Sequence, residues 1–251
     1  LLLGTFVSHR ITARIETLVE GTRRIQEGDL QYQIKDRGHD EISELVNSFN
    51  GMAKSLFESR KKMHHYFYRA MQSLVRVLES KDVYTAGPSD RVAEYTQKIA
   101  IRMGFPKVKA EMLQQAAKLH DIGKLAIQET ILNKVEALTQ EELKIIREHP
   151  IVGEDILRPV VFDEEILEMV RSHHEYYDGG GYPDRLKGEN INIFAQVISV
   201  ADAYDAMTSV RAYRGALTKK EAFEELQRNK GGQFNPEIVD VFIGVLQDEH
   251  A

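Results

Sequence analysis

The 251-residue chain is 42% hydrophobic and 29% charged, the composition of a globular protein with a buried core. It has no cysteine, which excludes disulfides, thiol catalysis and cysteine-ligated zinc and leaves histidine and carboxylates as the strong metal ligands. The formal charge of −6 argues against binding of a DNA or RNA polymer, so any nucleotide must meet a local cluster of cations.

The chain opens with a mostly apolar stretch, residues 1–7, which is followed by Arg10 and Arg14. A bilayer takes about 20 residues to span, and cations directly after a span are typical of its cytoplasmic side. We therefore expect residues 1–8 to be the end of a transmembrane helix in a longer protein. The alternative is an ordinary buried helix start.

Two heptad patterns follow, separated by a stretch between Gly28 and Asp40 that has no helical periodicity. The first consists of Ile11, Ile15, Leu18, Thr22 and Ile25, and the second of Ile42, Leu45, Phe49, Met52 and Leu56. Two short helices cannot bury these stripes alone, so the pattern predicts that two copies of the chain form a parallel four-helix coiled coil.

This arrangement resembles a HAMP domain, a signal relay that follows transmembrane helices in bacterial receptors. The resemblance rests on segments 28–30 (GDL), 40–42 (DEI) and 48–52 (SFNGM), although Ala13 stands where the family usually has proline. It implies a signalling domain over residues 9–61, a homodimer, and a place at the cytoplasmic face of the bacterial inner membrane. A plain dimerisation coil is the alternative.

The second helix has no evident stop. Neither proline nor glycine occurs between Ala53 and Thr85, and apolar residues continue at Met63, Phe67 and Met71. We predict one helix from Asp40 to about Lys81, with residues 62–82 linking the two domains and extending the dimer contact.

The remaining segment, 83–251, is rich in helix start signals and nearly free of alternating strand patterns. Pro88, Pro106 and Pro236 suit first turns, and capping boxes begin at Thr139 and Thr218. We predict six to eight short helices and no substantial sheet, so the whole chain is all-α.

Six residues with metal-binding side chains are separated by helix-length spacers. Taken singly, each is more often an ordinary core or surface residue, but four imidazoles and two carboxylates together suit first-row divalent ions. Six ligands suit two ions better than one, and such pairs clamp the attacking and leaving oxygens of a phosphate ester. The set is His120, Asp121, His149, His173, His174 and Asp202.

Cations suited to phosphate lie close to these residues in the sequence. Lys124 follows His120 by four positions, so the two share a face if that segment is helical. Arg211 and Arg214 follow Asp202, and arginine binds phosphate oxygens with two parallel hydrogen bonds. A solvated helix end is the alternative for the two arginines.

Three segments resemble the HD-GYP family of HD-domain phosphohydrolases. They are 120–124 (HDIGK), 173–183 (HHEYYDGGGYP) and 202–208 (DAYDAMT), the last followed by the two arginines. The resemblance implies an HD-type helical domain that hydrolyses cyclic di-GMP to linear pGpG and often to GMP.

The resemblance also implies roles for single residues. All six residues of the metal set become ligands of two divalent ions, Fe or Mn before Ni or Zn, with Asp121 bridging them. Asp121 and Lys124 become catalytic, while Lys124, Asp205, Arg211 and Arg214 contact substrate. A surface loop of Gly181, Tyr182 and Pro183 is implicated in contacts with diguanylate cyclase (GGDEF) domains.

Two positions depart from the family pattern. Tyr84 and Pro88 stand where some members have a glutamate and a histidine that bind a third metal, so we predict a binuclear centre. Asn235 replaces a common aspartate before Pro236; since asparagine also caps helices, the change is interpreted as structurally neutral.

The leading hypothesis is a membrane-tethered, dimeric cyclic di-GMP phosphodiesterase regulated through its HAMP domain. Two alternatives stay open: a catalytically weak or inactive module that signals by binding nucleotide or a cyclase, and a phosphohydrolase for another cyclic dinucleotide.

Overall fold

The computed structural model describes residues 2–36, 38–81, 88–209 and 215–248. The chain divides into two compact units, Leu1–Arg69 and Ala70–Ala251. The described residues are mainly helical, and their β-structure is limited to an isolated bridge between Lys230 and Phe234. The predicted all-α fold is confirmed.

The first unit holds helix α1 (Leu2–Gln26) and the first part of helix α2 (Glu41–Lys81), joined by a non-helical connector. Both the break between the heptad patterns and the single long helix agree with the sequence predictions. The buried core of this unit consists of Leu18, Ile34, Val46 and Phe49, with Ile25, Tyr32 and Ile42 packed against it.

The connector is tied to both helices by polar side chains. Arg14 of α1 bonds Asp36 at 2.7 Å and Asp40 at 2.6 Å. The Asn50 side chain of α2 accepts from Ile34 N at 2.9 Å and donates to Ile34 O at 3.0 Å, as a strand partner would. The two Asn50 bonds satisfy the main-chain N–H and C=O of Ile34, groups that a helix or strand would otherwise pair.

The predicted heptad stripes divide into buried and exposed members. Leu18 and Phe49 lie in the core, whereas Leu45 (53% exposed), Met52 (56%) and Leu56 (47%) remain exposed, as does Met63 (65%) further along α2. The exposed residues recur at steps of seven, four and seven, the spacing of one coiled-coil stripe. A single chain therefore leaves an apolar stripe along α2 uncovered.

The second unit contains nine α-helices after α2 within the described residues, one more than the upper end of the predicted range. They are α3 (Pro88–Arg102), α4 (Lys107–Leu119), α5 (Glu129–Leu132), α6 (Gln140–Arg147), α7 (His149–Leu157), α8 (Glu164–Ser172), α9 (Ile193–Thr208), α10 (Lys219–Arg228) and α11 (Pro236–Asp248). Two 3-10 segments, Ile122–Ala126 and Gly188–Asn190, complete the list. Both predicted capping boxes form, at Thr139 and Thr218.

Helix α9 is the centre of this unit. Every residue from 194 to 201 is buried, so the helix is buried on all sides, which is typical of a helix surrounded by others. It packs against α3, α8, α10 and α11, and α4 lies against α3 and α8. Asp202, the first residue after this buried run, is thereby held at a fixed place.

Across the described residues, no helix combines the length and apolar character that crossing a bilayer requires.

Asn235 has a second partner that the sequence did not indicate. Its Oδ1 accepts from Glu237 N at 2.9 Å, which is the predicted helix cap. Its Nδ2 donates to Gln196 Oε1 at 2.8 Å, while the Gln196 amide donates to Ile191 O at 2.8 Å. Because Gln196 is fixed by its own donation, it presents an acceptor, and an aspartate at position 235 would have no donor to offer it.

We therefore predict that Asn235→Asp lowers the free energy of unfolding by about 1–3 kcal/mol, the cost of leaving a buried acceptor unpaired. Urea denaturation of the purified chain measures this. Asp163→Asn is the matched control, because Asp163 caps α8 by accepting from Glu165 N, and a change within ~0.5 kcal/mol is expected there. Equal stability of Asn235→Asp and the parent would restore the interpretation of position 235 as neutral.

Candidate metal centre

Five of the six predicted ligands lie at the ends of three helices of the second unit, and the sixth lies within a fourth helix. His120 and Asp121 follow α4, and His149 begins α7. His173 and His174 follow α8, and Asp202 lies on the central helix α9. The structure thus brings residues from distant parts of the sequence to one place.

The Nε2 atoms and the carboxylates face one another at short distances. His149 Nε2 lies 3.2 Å from Asp121 Oδ1 and 3.3 Å from His173 Nε2. His120 Nε2 lies 3.4 Å from Asp121 Oδ2 and 3.7 Å from Asp202 Oδ1. Asp121 therefore lies between two groups of ligands, one containing His149 and His173 and the other containing His120 and Asp202.

Four of the six residues lie close enough together to share one ion. One ligand atom each from Asp121, His149, His173 and His174 lies within 4.8 Å of the other three. This cluster could bind a metal ion, and His120 and Asp202 extend it on the other side of Asp121.

Three of the four rings are oriented by main-chain carbonyls. The Nδ1 atoms of His120, His149 and His173 lie 2.6, 2.7 and 2.7 Å from the carbonyl oxygens of Ala117, Ile146 and Val170. A carbonyl can only accept, so each Nδ1 carries a proton, and a ring that is neutral then keeps a lone pair on Nε2. Metal-binding histidines are typically held in this way.

The polar atoms of the centre are poorly satisfied by the protein itself. Among the described residues, His120 Nε2 and Asp121 Oδ1 are buried and find no hydrogen-bond partner. If His149 and His173 are both neutral and protonated on Nδ1, the two facing Nε2 lone pairs repel each other. A cation bound by these atoms would remove both defects, so the donor set fits a divalent ion.

The pKa shifts agree with a site that attracts positive charge. Burial alone would lower the pKa of His120, but Asp121 and Asp202 outweigh it and raise this pKa to about 10. Burial and the neighbouring imidazoles lower the pKa values of His173 and His174, so these rings are neutral. Burial would raise the pKa of Asp121, yet Lys124 and His120 bring it well below its usual value.

Gly123 allows the 3-10 segment to lie directly against α7. A Cβ atom at this position would be 1.9 Å from His149 O and 2.6 Å from Gly153 N, both of which are main-chain atoms. Only glycine permits this approach. The distance between Asp121 and His149 thus depends on the glycine in the HDIGK segment.

Lys124 is near the centre, but not on an α-helical face with His120. Helix α4 ends at Leu119 and a 3-10 helix covers Ile122–Ala126. Lys124 Nζ instead bonds Asp121 Oδ2 at 2.6 Å. The segment from His120 to Lys124 is therefore not an α-helix, so the shared face that depended on an α-helix does not form. Lys124 approaches the site through its bond to Asp121 instead.

Of the other predicted substrate contacts, Arg211 and Arg214 lie outside the described residues. Asp205 is buried and forms a two-bond ion pair with Arg91 of α3, at 2.5 and 3.0 Å. The carboxylate is thus bonded within the protein, and its contact with substrate stays a prediction. Arg91 was missed as a partner because a bond across 114 residues leaves no local pattern.

The loop of Gly181, Tyr182 and Pro183 was predicted to lie on the surface. The structure buries Gly181 and leaves Tyr182 half-buried, with its ring stacked on His174 at a centroid distance of 4.9 Å. Asp184 and Arg185 are the next exposed residues. The loop thus contacts the metal residues, and its contact with a cyclase stays a prediction.

Comparison with known families agrees with these observations. Residues 72–238 match the HD domain and residues 6–58 match the HAMP domain. The HD match alone covers more than half of the chain. This chain belongs to the HD-domain family. The sequence resemblance to a HAMP domain followed by an HD-GYP domain is thereby confirmed.

Several curated relatives are about one third identical. A protein named cyclic di-GMP phosphodiesterase from Thermotoga maritima is 34% identical over 78% of this chain and 56% of its own length. A 3'3'-cGAMP-specific phosphodiesterase of Vibrio cholerae is 34% identical over 68% of this chain and 33% of its own length. The chain spans about half the length of the first curated relatives it matches.

Among solved structures, an HDG"Y"P protein from Bdellovibrio bacteriovorus is similar in fold, with a TM-score of 0.57 and 20% identity. The match covers 77% of this chain and 67% of that one.

We predict that Gly123→Ala disrupts the centre, because the added methyl group forces α7 and His149 away from Asp121. The expected result is at least ~10-fold weaker metal binding, the size of effect seen when ligand support is lost, measured by competition with a chelator. Gly244→Ala is the control: its Cβ would meet only an Arg102 side-chain atom at 3.9 Å, and in a helix it should add about 0.5–1 kcal/mol of stability. Parent-like metal affinity in Gly123→Ala would contradict the close approach.

Proposed function

We propose that this chain is a metal-dependent phosphodiesterase that opens cyclic di-GMP to linear pGpG. The observation that carries the proposal is the convergence of four imidazoles and two carboxylates in one buried place, with three rings oriented through Nδ1. The names of the relatives support the substrate. This donor set without thiolates is one that first-row divalent ions accept.

The centre is proposed to hold two ions, Fe or Mn before Ni or Zn. His149, His173 and His174 would bind one, His120 and Asp202 the other, and Asp121 both. Ions held in this way supply Lewis-acid activation of water and neutralise charge on the phosphate. The third-metal position is not expected to be filled: Tyr84 lies outside the described residues, and the side chain of Pro88 has no donor atom.

The cations of the chain are proposed to bind the substrate phosphates. Lys124, placed by its bond to Asp121, would stabilise charge that develops on a non-bridging oxygen. Arg211 and Arg214, which follow α9, would orient the phosphates through paired hydrogen bonds. The ion pair of Asp205 with Arg91 holds the end of α9 from which this segment continues.

The first test is metal content and product analysis on the whole chain, reconstituted anaerobically with Fe(II) or Mn(II). We expect about two ions per chain and conversion of cyclic di-GMP to pGpG. Chromatography of the reaction mixture measures the products. His173→Ala should lose at least one ion and reduce turnover more than ~100-fold. That is more than the ~10–100-fold loss expected when only a residue that supports a ligand is changed. His65→Ala, which changes an exposed histidine of α2, should match the parent; parent-like turnover by His173→Ala would exclude this ligand set.

A second substrate deserves the same assay, because relatives of similar identity are named 3'3'-cGAMP-specific. Faster cleavage of 3'3'-cGAMP than of cyclic di-GMP would keep the metal chemistry and change the substrate. Bound metal without turnover of either dinucleotide would favour the inactive signalling module. Contacts of the 181–183 loop with diguanylate cyclase domains would then be the next candidate function.

We also propose that the chain works as a dimer at the cytoplasmic face of a membrane, with the HAMP unit transmitting a signal. The uncovered stripe of Leu45, Met52, Leu56 and Met63 supports this, because a second copy would bury it. Residues 1–8 are proposed as the end of the membrane-spanning helix.

The double variant Leu45→Glu, Met52→Glu should weaken self-association more than tenfold, since each buried apolar side chain contributes about 1.5–3 kcal/mol. Light scattering across a dilution series measures this on the whole chain. Lys54→Glu, an exposed change on the same helix, is the control. A monomeric parent, or a double variant that dimerises like the parent, would contradict a dimer formed through α2.

A further inference from the structure

His174 differs from the other three histidines of the centre in how its ring is held. His120, His149 and His173 each bond a main-chain carbonyl three residues earlier through Nδ1. Among the described residues, no such bond is found for His174. A ligand ring without a fixed orientation costs affinity, because binding must then order it.

An aromatic ring takes the place of that hydrogen bond. Tyr182 stacks on His174 with the centroids 4.9 Å apart and the planes inclined by 28°. The centroid of the His174 ring also lies 4.1 Å from that of His173 and 5.0 Å from that of His149, whose plane is nearly perpendicular to it. The imidazole is therefore enclosed between Tyr182 and two other members of the centre.

The main chain fixes Tyr182 opposite His174. Tyr182 N donates to His174 O at 3.2 Å, which joins the two residues through both backbone and rings. A Cβ at Gly181 would lie 2.2 Å from Tyr176 N and 2.5 Å from His174 O, so only glycine lets the loop return this closely.

The far side of the loop is fixed as well. The buried Glu175 carboxylate accepts from Asp184 N at 2.6 Å and from Leu186 N at 3.1 Å. Arg171 of α8 bonds both oxygens of Asp184, at 2.6 and 2.8 Å. Tyr182 thus lies between two anchored points, and its ring has little freedom to leave His174.

The outer face of Tyr182 is covered by a cation. The guanidinium carbon of Arg147, an exposed residue at the end of α6, lies 5.6 Å from the Tyr182 ring centroid. Burial, Asp121 and Asp202 raise the pKa of the Tyr182 hydroxyl, so the ring stays neutral. A continuous stack runs from Arg147 at the surface through Tyr182 to His174.

We propose that Tyr182 is a positioning residue of the metal centre: its ring orients His174 for coordination, in place of the carbonyl bond that orients the other three histidines. The proposal rests on the proposed metal-dependent function. It assigns the role to the aromatic face of Tyr182 and none to the hydroxyl, so phenylalanine should replace tyrosine.

The test uses Co(II), whose absorption bands report ligand geometry independently of turnover, bound to the whole chain in competition with a chelator. Tyr182→Leu is expected to weaken Co(II) binding about 10–100-fold, the usual cost of losing outer support, and to alter the bands. Tyr182→Phe should stay within about threefold of the parent with unchanged bands. Arg147→Gln should weaken binding about two- to fivefold, the value of an exposed cation–aromatic contact.

Tyr177→Leu is the matched control, because it removes a nearby tyrosine for which no stacking on a histidine is found among the described residues. If Tyr182→Leu does not fold, Tyr182→Met against Tyr182→Phe decides, since methionine fills the volume without an aromatic face. Parent-like affinity and bands in the leucine or methionine variant would overturn the role of Tyr182 alone. A parent chain that binds no Co(II) would overturn the metal-dependent function itself.

Discussion

The second unit depends on one electrostatic constraint: imidazole nitrogens and carboxylates converge where water is largely excluded. His149 and His173 face each other at 3.3 Å through their Nε2 atoms, and two neutral rings protonated on Nδ1 would bring two lone pairs together there. Such a cluster is costly unless a cation joins it. The fold must therefore hold these groups together against their own repulsion, which the helices do through hydrogen bonds to main-chain carbonyls.

The backbone holds the groups in two ways. Carbonyls at or near helix ends orient three rings, because the last carbonyls of a helix have no partner within the helix and are available to a side chain nearby. Close contacts then set the distances between elements: Gly123 brings the 3-10 segment onto α7, and Gly181 brings the loop onto residues 174–176. The buried helix α9 fixes Asp202 opposite them. Two glycines of the recognised motifs, Gly123 and Gly181, are therefore needed because a side chain at either position would overlap neighbouring main-chain atoms.

Local patterns in the sequence predicted the helices, both capping boxes, the break after Gly28 and the six residues of the centre, because each leaves a periodic or motif signal. Contacts that form only when the chain folds leave no such signal in the sequence. The bond of Asn235 to Gln196, the ion pair of Arg91 with Asp205 and the stack of Tyr182 on His174 all depend on tertiary packing. The α-helix that would have placed Lys124 on one face with His120 does not form for a related reason. The close approach at Gly123 is accompanied by a 3-10 segment, whereas the local sequence alone would suggest that the α-helix continues.

The two roles considered for the 181–183 loop involve different sides of it. Gly181 and the ring of Tyr182 point inward and contribute to the support of His174, whereas Asp184 and Arg185 are exposed. Because Glu175 and Arg171 bond residues of the exposed side, the two sides form one hydrogen-bonded structure. A partner that bound Arg185 while leaving these bonds intact would not disturb the centre. One that competed for Asp184 would break the bonds that hold the loop, and through Tyr182 it would release the ring of His174.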